Sequence, residues 1–399
     1  MDRPKTRPLP RPLDIAVVGA GVAGLGCAWW LARRHRVTLY EKERRPGGHS
    51  CTLEVEGADG RPIAVDIGFI VFNEPNYPLL TRLFRTLAIA TMPTDMSFAV
   101  SLDDGAFEYG GGDWGALFAQ KRNLVRPGFW RMCIDILRFF RKGRAAADDP
   151  TLDGLTLGEW LRRERFGPAF VHRHILPMAA AIWSAPLAEI AGYPARSFLT
   201  FFRNHGLLQL EGRPQWRTVA GGSRRYVEAL VADGGFRLRT GGVAAVLRDS
   251  DGVTVIGSDG SRARHDIVVL ATHADTSLRL LADADRDELS LLSSFRYTSN
   301  TVVLHGDPAL MPKRRRVWSS WNYVGRSRDP ATRRVAVTYW MNRLQHLPAH
   351  TPLFATVNPW REPDPRLVHA VRTFDHPVFD FAALAAQKRL PQLQGRRRT

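Results

Sequence analysis

Residues 14–50 read DIAVVGAGVAGLGCAWWLARRHRVTLYEKERRPGGHS. The run divides into a short apolar strand at Ile15 to Val18, a Gly19-x-Gly21-x-x-Gly24 turn, a helix, a second strand at Val37 to Tyr40, and the acid Glu41. Each piece has a physical task in gripping a dinucleotide. Gly19 permits the tight turn, Gly21 lets backbone N–H groups approach a pyrophosphate, and Gly24 lets the helix lie close to the strand. Val22 and Ala23 open that helix, whose N-terminus carries partial positive charge toward the phosphates. Glu41, followed by Lys42, stands where a carboxylate meets ribose hydroxyls. A glycine triplet alone also suits an α/β turn that binds nothing; the strand–turn–helix–strand–acid context is what favours the dinucleotide.

The chain has 399 residues, enough for two domains or one large interleaved one. Its net charge of +17 comes almost wholly from arginine, since only Lys5, Lys42, Lys121, Lys142, Lys313 and Lys388 are lysines. Arginine richness of this kind follows from genome composition or from attraction to an anionic membrane surface or acidic lipids. No nucleic-acid motif accompanies it. Cys27, Cys51 and Cys133 show neither disulfide nor metal-ligand spacing, so a reducing compartment and no metal are expected. The Arg/Pro-rich start has no apolar core of a signal peptide, and no stretch reaches the ~18 apolar residues of a membrane span. The expectation is a cytoplasmic protein, with peripheral contact to the inner membrane face left open.

Along the chain, 1–12 reads as a disordered arm. The dinucleotide unit covers 13–75 and returns at 208–290; a second domain covers 76–207 and 291–390; 391–399 is a basic tail. A polar hairpin is expected around Glu56 to Arg61, and another joins Phe98–Leu102 to Phe107–Tyr109. Phe129 to Arg144 is a helix whose Trp130, Cys133, Ile134, Leu137 and Phe140 form a stripe among arginines. Two readings stand: a stripe packed on the core with a solvated basic face, or a helix lying on a membrane surface. Phe236 to Leu247 and Val253 to Gly257 read as strands, and Ile267 to Leu270 as a strand of the parallel sheet. Lys313 to Arg316 is a solvated loop or a contact for anionic head groups.

These residues carry a family resemblance. The glycine triplet, Glu41 and the later pair Gly47-Gly48 resemble the N-terminal signature of FAD-dependent amine oxidases and phytoene-desaturase-like flavoproteins. Asp66-x-Gly68-Phe69 resembles their strand passing near the flavin. Stretches such as DIGFIVFN (66–73), PMAAAIWS (177–184), FFRNHGLL (201–208), RPQWRTVAGGSRRYV (213–227), VLATHAD (269–275) and TYWMNRLQ (338–345) are similar to a bacterial group of NAD/FAD-binding amine-oxidase-like proteins. The resemblance implies an α/β fold, with a Rossmann-like FAD-binding domain interleaved with an α+β substrate domain. It also implies noncovalent FAD, contacted by Gly47, Gly48, His49 (where many relatives have Arg), Gly68, Phe69, Val243 and Thr272. Oxidation or desaturation follows, and acyl lipids are suggested because such proteins often accompany cyclopropane-fatty-acid-synthase-like methyltransferases. The family's glycine-rich C-terminal segment over the flavin has no counterpart before Thr399, so a truncated chain that binds FAD weakly and is not catalytic is one expectation.

No second strand–glycine–helix unit for NADPH is visible, which favours reoxidation by dioxygen or a quinone-like carrier. Flavin chemistry needs a substrate C–H placed over the ring, with water excluded. Asn204, His205, Trp183, Tyr339 and Asn342 are candidate pocket residues, each equally readable as loop structure or core packing. Strand alternation would send Tyr339 and Met341 to one face and Trp340 and Asn342 to the other. None of the lysines lies in a strand context suited to the water-bridged lysine of amine oxidases. The sequence therefore points first to dehydrogenation of a hydrophobic small molecule, with amine or amino-acid oxidation as the alternative.

Overall fold

The computed structural model describes residues 11–326 and 336–399; most of the expected N-terminal arm, and Val335 at the start of the strand-like run expected over Val335 to Trp340, lie outside them. Contacts divide the chain into two compact units, one formed by 1–51, 224–296 and 385–399, the other by 52–223 and 297–384. The boundaries at 51 and 223 differ from those expected at 75 and 207. The physical reason is a buried carboxylate. Asp66, 1% exposed, accepts hydrogen bonds from the hydroxyls of Thr52 (2.6 Å) and Ser223 (2.7 Å), the Ser223 N–H and the Gln345 amide (3.0 Å). These bonds tie the hairpin Thr52–Glu56/Pro62–Asp66 to the second unit.

In the first unit, β1 (Asp14–Val18) leads into α1 (Val22–Leu31) and β2 (Arg36–Glu41), and β3 (Arg237–Thr240) and β4 (Ile267–Leu270) complete a sheet. Its order is β3-β2-β1-β4, all parallel, with Val17 opposite both Leu39 and Val269. β1 is central and apolar because neighbours cover both its faces: Ile15, Ala16 and Val17 are at most 1% exposed. The expected single strand over 236–247 is two. Gly241 and Gly242, at φ +107° and +86°, break it, and Val243–Arg248 joins an antiparallel sheet with Val253–Gly257 and Arg262–His265. Within the expected basic tail 391–399, Arg396 pairs with Asp285 and Asp287, and Arg397 with Asp283.

The second unit centres on a seven-stranded sheet, in the order 368–377, 297–305, 354–357, 337–340, 321–325, 98–102, 107–110. Only the pairing of 321–325 with 98–102 is parallel. Helices pack on it around an aromatic core that includes Phe139, Trp160, Phe170 and Phe202. The long helix α2 (Pro127–Ala146) sends Phe129, Met132, Phe139 and Gly143 into that core. The stripe read from sequence lies elsewhere on it. Trp130, Ile134 and Leu137 are exposed and only Cys133 and Phe140 half-buried, so this stripe is not the core-facing one. The 313–316 run is solvated, with Lys313, Arg315 and Arg316 exposed, but it is also tied down: Arg314 bonds buried Glu108 (2.7 Å), Arg315 covers the Trp318 ring (3.8 Å), and Lys313 and Arg316 pair with Asp104 and Asp113. Among the described residues no helix is long and apolar enough to cross a membrane.

Candidate functional site

The carboxyl ends of the parallel strands gather the glycines at close quarters. Gly19 leaves β1 at φ +102°, a value that an L side chain rarely adopts, and a Cβ there would lie 2.7 Å from the Ala271 carbonyl oxygen. At Gly24 a Cβ would lie 1.7 Å from the Gly19 carbonyl oxygen, so α1 reaches the turn only because both positions are glycine. A Cβ on Gly21 would meet nothing within 4 Å, which leaves that backbone open to an approaching group. Gly21 begins α1 without a side-chain cap, and no acid occupies the first turn, where Val22 and Ala23 are exposed. The leading N–H groups therefore point their partial charge outward without a carboxylate in the helix to compete for them.

The second glycine pair belongs to the same cradle. The Gly47 N–H donates to the Ala20 carbonyl (2.7 Å), and Gly47 bridges to Gly21. Gly48, at φ +55°, would place a Cβ 3.3 Å from the Gly21 Cα. The Arg45 guanidinium donates to the carbonyls of Gly48 (3.1 Å) and Ser50 (2.8 Å), and the Ser50 and Tyr226 hydroxyls share a hydrogen bond. These three residues fix the Gly47–Ser50 turn. The sequence reading passed over Arg45 and Tyr226, whose roles depend on backbone carbonyls and on a residue far along the chain.

Glu41 is 8% exposed, and its carboxylate accepts from the N–H groups of Ala20 (2.8 Å) and Glu43 (3.0 Å). Both oxygens are thus aimed before any ligand arrives. Lys42 is exposed and lies 3.8 Å from Glu43. The Gly242 N–H donates to the Glu41 carbonyl (3.0 Å), which brings Val243 to the same edge. Thr272 lies under Gly19, its methyl 3.0 Å from the position of a Gly19 Cβ. The half-buried His49 ring is 5.9 Å from that of His273, a residue the sequence reading did not single out. A cluster of outward N–H groups, an aimed carboxylate and two imidazoles matches a diphosphate joined to a ribose. Gly68 and Phe69, half-buried, follow strand Pro62–Asp66 in the second unit.

The pocket candidates separate. His205 stacks on Phe201 (3.9 Å) and faces Trp216 (6.0 Å), and burial lowers its pKa. Asn204, its neighbour, is exposed. Trp183 joins the same wall, with ring contacts to Phe198 (5.3 Å) and Phe201 (4.8 Å). Burial raises the Tyr339 phenol to about 12, and its hydroxyl donates to the Ala181 carbonyl (3.4 Å). The expected alternation stops at Trp340, where a short helix, Met341–Leu344, begins. Asn342 is structural there, donating to the carbonyls of Pro348 and Thr351 and accepting from the Leu353 N–H. A separate cavity of about 330 Å³ in the second unit is lined by Leu102, Ala169, His172, Arg173, Leu187 and Tyr323, among others, and by none of the five candidates.

The profile of the family described as flavin containing amine oxidoreductase matches residues 22–343. A Mycobacterium tuberculosis protein named as a flavin-containing monoamine oxidase is 29% identical over 290 residues, 68% of this chain and 59% of its own. The carotenoid phi-ring synthase of Streptomyces griseus is 28% identical over 286 residues, 67% and 54%. The chain thus spans less than two thirds of these curated relatives. Among solved structures, a CLA-producing fatty acid isomerase from P. acnes superposes with a TM-score of 0.67 at 16% identity, covering 98% of this chain and 93% of that one, a likeness of fold.

Proposed function

The chain belongs to the flavin-containing amine oxidoreductase family, an FAD-dependent oxidoreductase class; on that premise we propose that it dehydrogenates a hydrophobic, acyl-lipid substrate. Bound FAD would supply a two-electron acceptor for a hydride leaving the substrate, the companion proton passing to solvent. In this reading the N–H groups of Gly21, Val22 and Ala23 hold the diphosphate, with Gly19, Gly24, Gly47 and Gly48 shaping the approach. Glu41 takes the ribose hydroxyls, Lys42 adds positive charge, His49 stands beside the diphosphate, and Thr272 and Val243 line the edge. Gly68 and Phe69 serve the flavin end. His205, Trp183 and Tyr339 form the apolar wall that excludes water; Asn342 is left out because its hydrogen bonds are already used.

The observation that carries the substrate class is a cavity of the second unit that none of those wall residues lines, so it speaks to which molecules the unit takes up and not to where they react. Among the described residues its lining joins Leu102, Ala169, Leu187 and Tyr323 to Arg173 and Arg326, and includes no carboxylate. An acyl chain ending in an anionic group suits such a lining, whereas a protonated amine would meet two like charges. Likeness to a carotenoid synthase and to a fatty acid isomerase supports the lipid side; likeness to a protein named as a monoamine oxidase supports amine oxidation as the second reading. We also place the protein in the cytoplasm, in peripheral contact with the inner membrane face. Anaerobic mixing of FAD-loaded protein with dispersed acyl lipids should bleach the flavin absorption, and amines should not. Bleaching by amines alone would overturn the proposal.

A further inference from the structure

We propose that the exposed face of α2, with the adjoining 121–126 turn and Trp114, docks the protein onto an anionic lipid bilayer. All of these residues belong to the second unit. Trp114 (75% exposed), Val125 (81%), Ile134 (57%) and Leu137 (54%) stand out in water together with Leu124 and Trp130. Isolated exposed apolar residues are ordinary, but a run of this kind is not. Trp130, Ile134 and Leu137 are spaced i, i+4, i+7 and so share one face of a 20-residue helix about 30 Å long. The opposite face is already spent on the core through Phe129, Met132 and Phe139.

The outward side chains are also held in place. Trp114 stacks on Phe118 (6.1 Å), Phe118 meets Trp130 (5.4 Å), and the Trp130 indole donates to the Leu124 carbonyl (2.9 Å). A rigid tryptophan with its polar edge satisfied suits the boundary between water and acyl chains. Around this strip stand Lys121, Arg122, Arg126, Arg131 and Arg141, and Arg141 continues the stripe one turn beyond Leu137. On the same helix Arg138 pairs with Asp135 and Lys142 with Glu164. Among the described residues the five rim cations have no such carboxylate partner. Burial, then the neighbouring charges of Arg122 and Arg173, pulls the Arg126 guanidinium below its ordinary pKa, as in a cation cluster lacking its anion.

Apolar side chains inside a basic rim match the acyl boundary and phosphates of an anionic leaflet. A second copy of the chain fits poorly, because the two cationic rims would face each other. Arg173 belongs both to this cluster and to the wall of the 330 Å³ cavity, so docking sets that cavity beside the lipid. In this the inference rests on the peripheral-contact and acyl-lipid reading given above.

The test is co-sedimentation of FAD-loaded protein with phosphatidylcholine vesicles, with and without one-third phosphatidylglycerol. Wild type should pellet with the anionic vesicles only. The double variants Val125→Asp/Ile134→Asp and Arg122→Glu/Arg126→Glu should each lose about tenfold or more in vesicle affinity, with flavin spectrum and melting temperature unchanged. Variants that pellet like wild type would overturn this face while leaving peripheral binding intact. No pelleting of wild type at all would overturn both the face and the peripheral reading, yet not the substrate class, which the bleaching experiment reads separately. Equal pelleting with both vesicle types, or a wild-type dimer in light scattering that these variants abolish, would also overturn it.

Discussion

Gly24 and Gly26 lie two residues apart on α1, yet a methyl group added to each should act in opposite directions. On Gly24 it would lie 1.7 Å from the Gly19 carbonyl oxygen, 2.9 Å from the carbonyl carbon and 3.2 Å from the Ala271 Cβ. Carbon contacts settle near ~3.5 Å, so the helix must retreat by about 1.5 Å or more from a backbone atom that cannot rotate away. Overpacking of this kind costs about 1–3 kcal/mol. The retreat also moves the first-turn N–H groups off the diphosphate. Losing even one hydrogen bond to a charged group, about 1.5–3 kcal/mol, weakens FAD binding by about 10- to 100-fold. On Gly26 a Cβ would meet nothing within 4 Å. Gly26→Ala then gains helix propensity of up to ~1 kcal/mol, or about 1 °C in melting temperature for a chain of 399 residues. The assays are thermal melts of the apo-protein, which avoid stabilisation by ligand, and fluorescence titration with FAD. Gly24→Ala binding FAD within twofold of wild type, at an unchanged melting temperature, would refute the reasoning. So would an equal loss in Gly26→Ala, which would make the effect one of the helix in general.

Two further predictions concern stability. Arg248 is fully buried between Asp283 (3.0 Å) and Glu288 (2.5 Å), so Arg248→Met strands a buried carboxylate and should cost about 3–5 kcal/mol, nearer the lower figure because Arg397 stays 3.9 Å from Glu288. Burial pushes Glu288 up, but the Arg248 bond outweighs it and holds the group below its ordinary 4.5. That stabilisation is present above pH 4.5 and fades as pH falls below it, so urea curves of variant and wild type should converge in acid; a gap independent of pH would contradict this. His174 is pulled to about 3, by burial and then by the charge of Arg213, and stays neutral in the fold while an unfolded imidazole protonates near 6.5. Its contribution is present above pH 6.5 and lost as pH falls toward 3. His174→Phe leaves the Tyr109 hydroxyl its bond to the Arg173 carbonyl (3.0 Å), so it should flatten the stability slope by about 1.4 kcal/mol per pH unit between those limits. An unchanged slope would rule it out.

How much was legible from sequence tracks how local the determining contacts are. β1, α1, β2 and Glu41 follow one another within 28 residues, so the glycine spacing and the apolar runs sufficed to place the cradle. The partners of the solvated 313–316 run were not legible, because Glu108 and Asp113, which pair with Arg314 and Arg316, come some two hundred residues earlier. Asn342 looked like a pocket amide for a similar reason. Its partners Pro348, Thr351 and Leu353 become neighbours only because the chain turns back after the short helix. The strand expected over 236–247 runs straight through Gly241-Gly242; positive φ at both makes the pair the corner where one sheet ends and another starts.

The helix α2 shows a different limit, one of symmetry rather than distance. Periodicity finds apolar stripes, but a stripe carries no label saying what lies against it. On α2 there are two, Phe129/Met132/Phe139 facing the core and Trp130/Ile134/Leu137 facing outward. With arginines interspersed among both, nothing in the residue pattern decides which one the sheet would cover. A helix that is apolar on both sides of its axis, yet buried on only one, has surface left over after folding. Burying that surface favours association with some other apolar phase, at about 25 cal/mol for each Å² removed from water. The rim cations, which have no carboxylate partner among the described residues, then select, among apolar phases, one whose boundary is anionic. The order of the argument matters: packing decides which stripe remains outside, and only after that does its charge acquire a meaning.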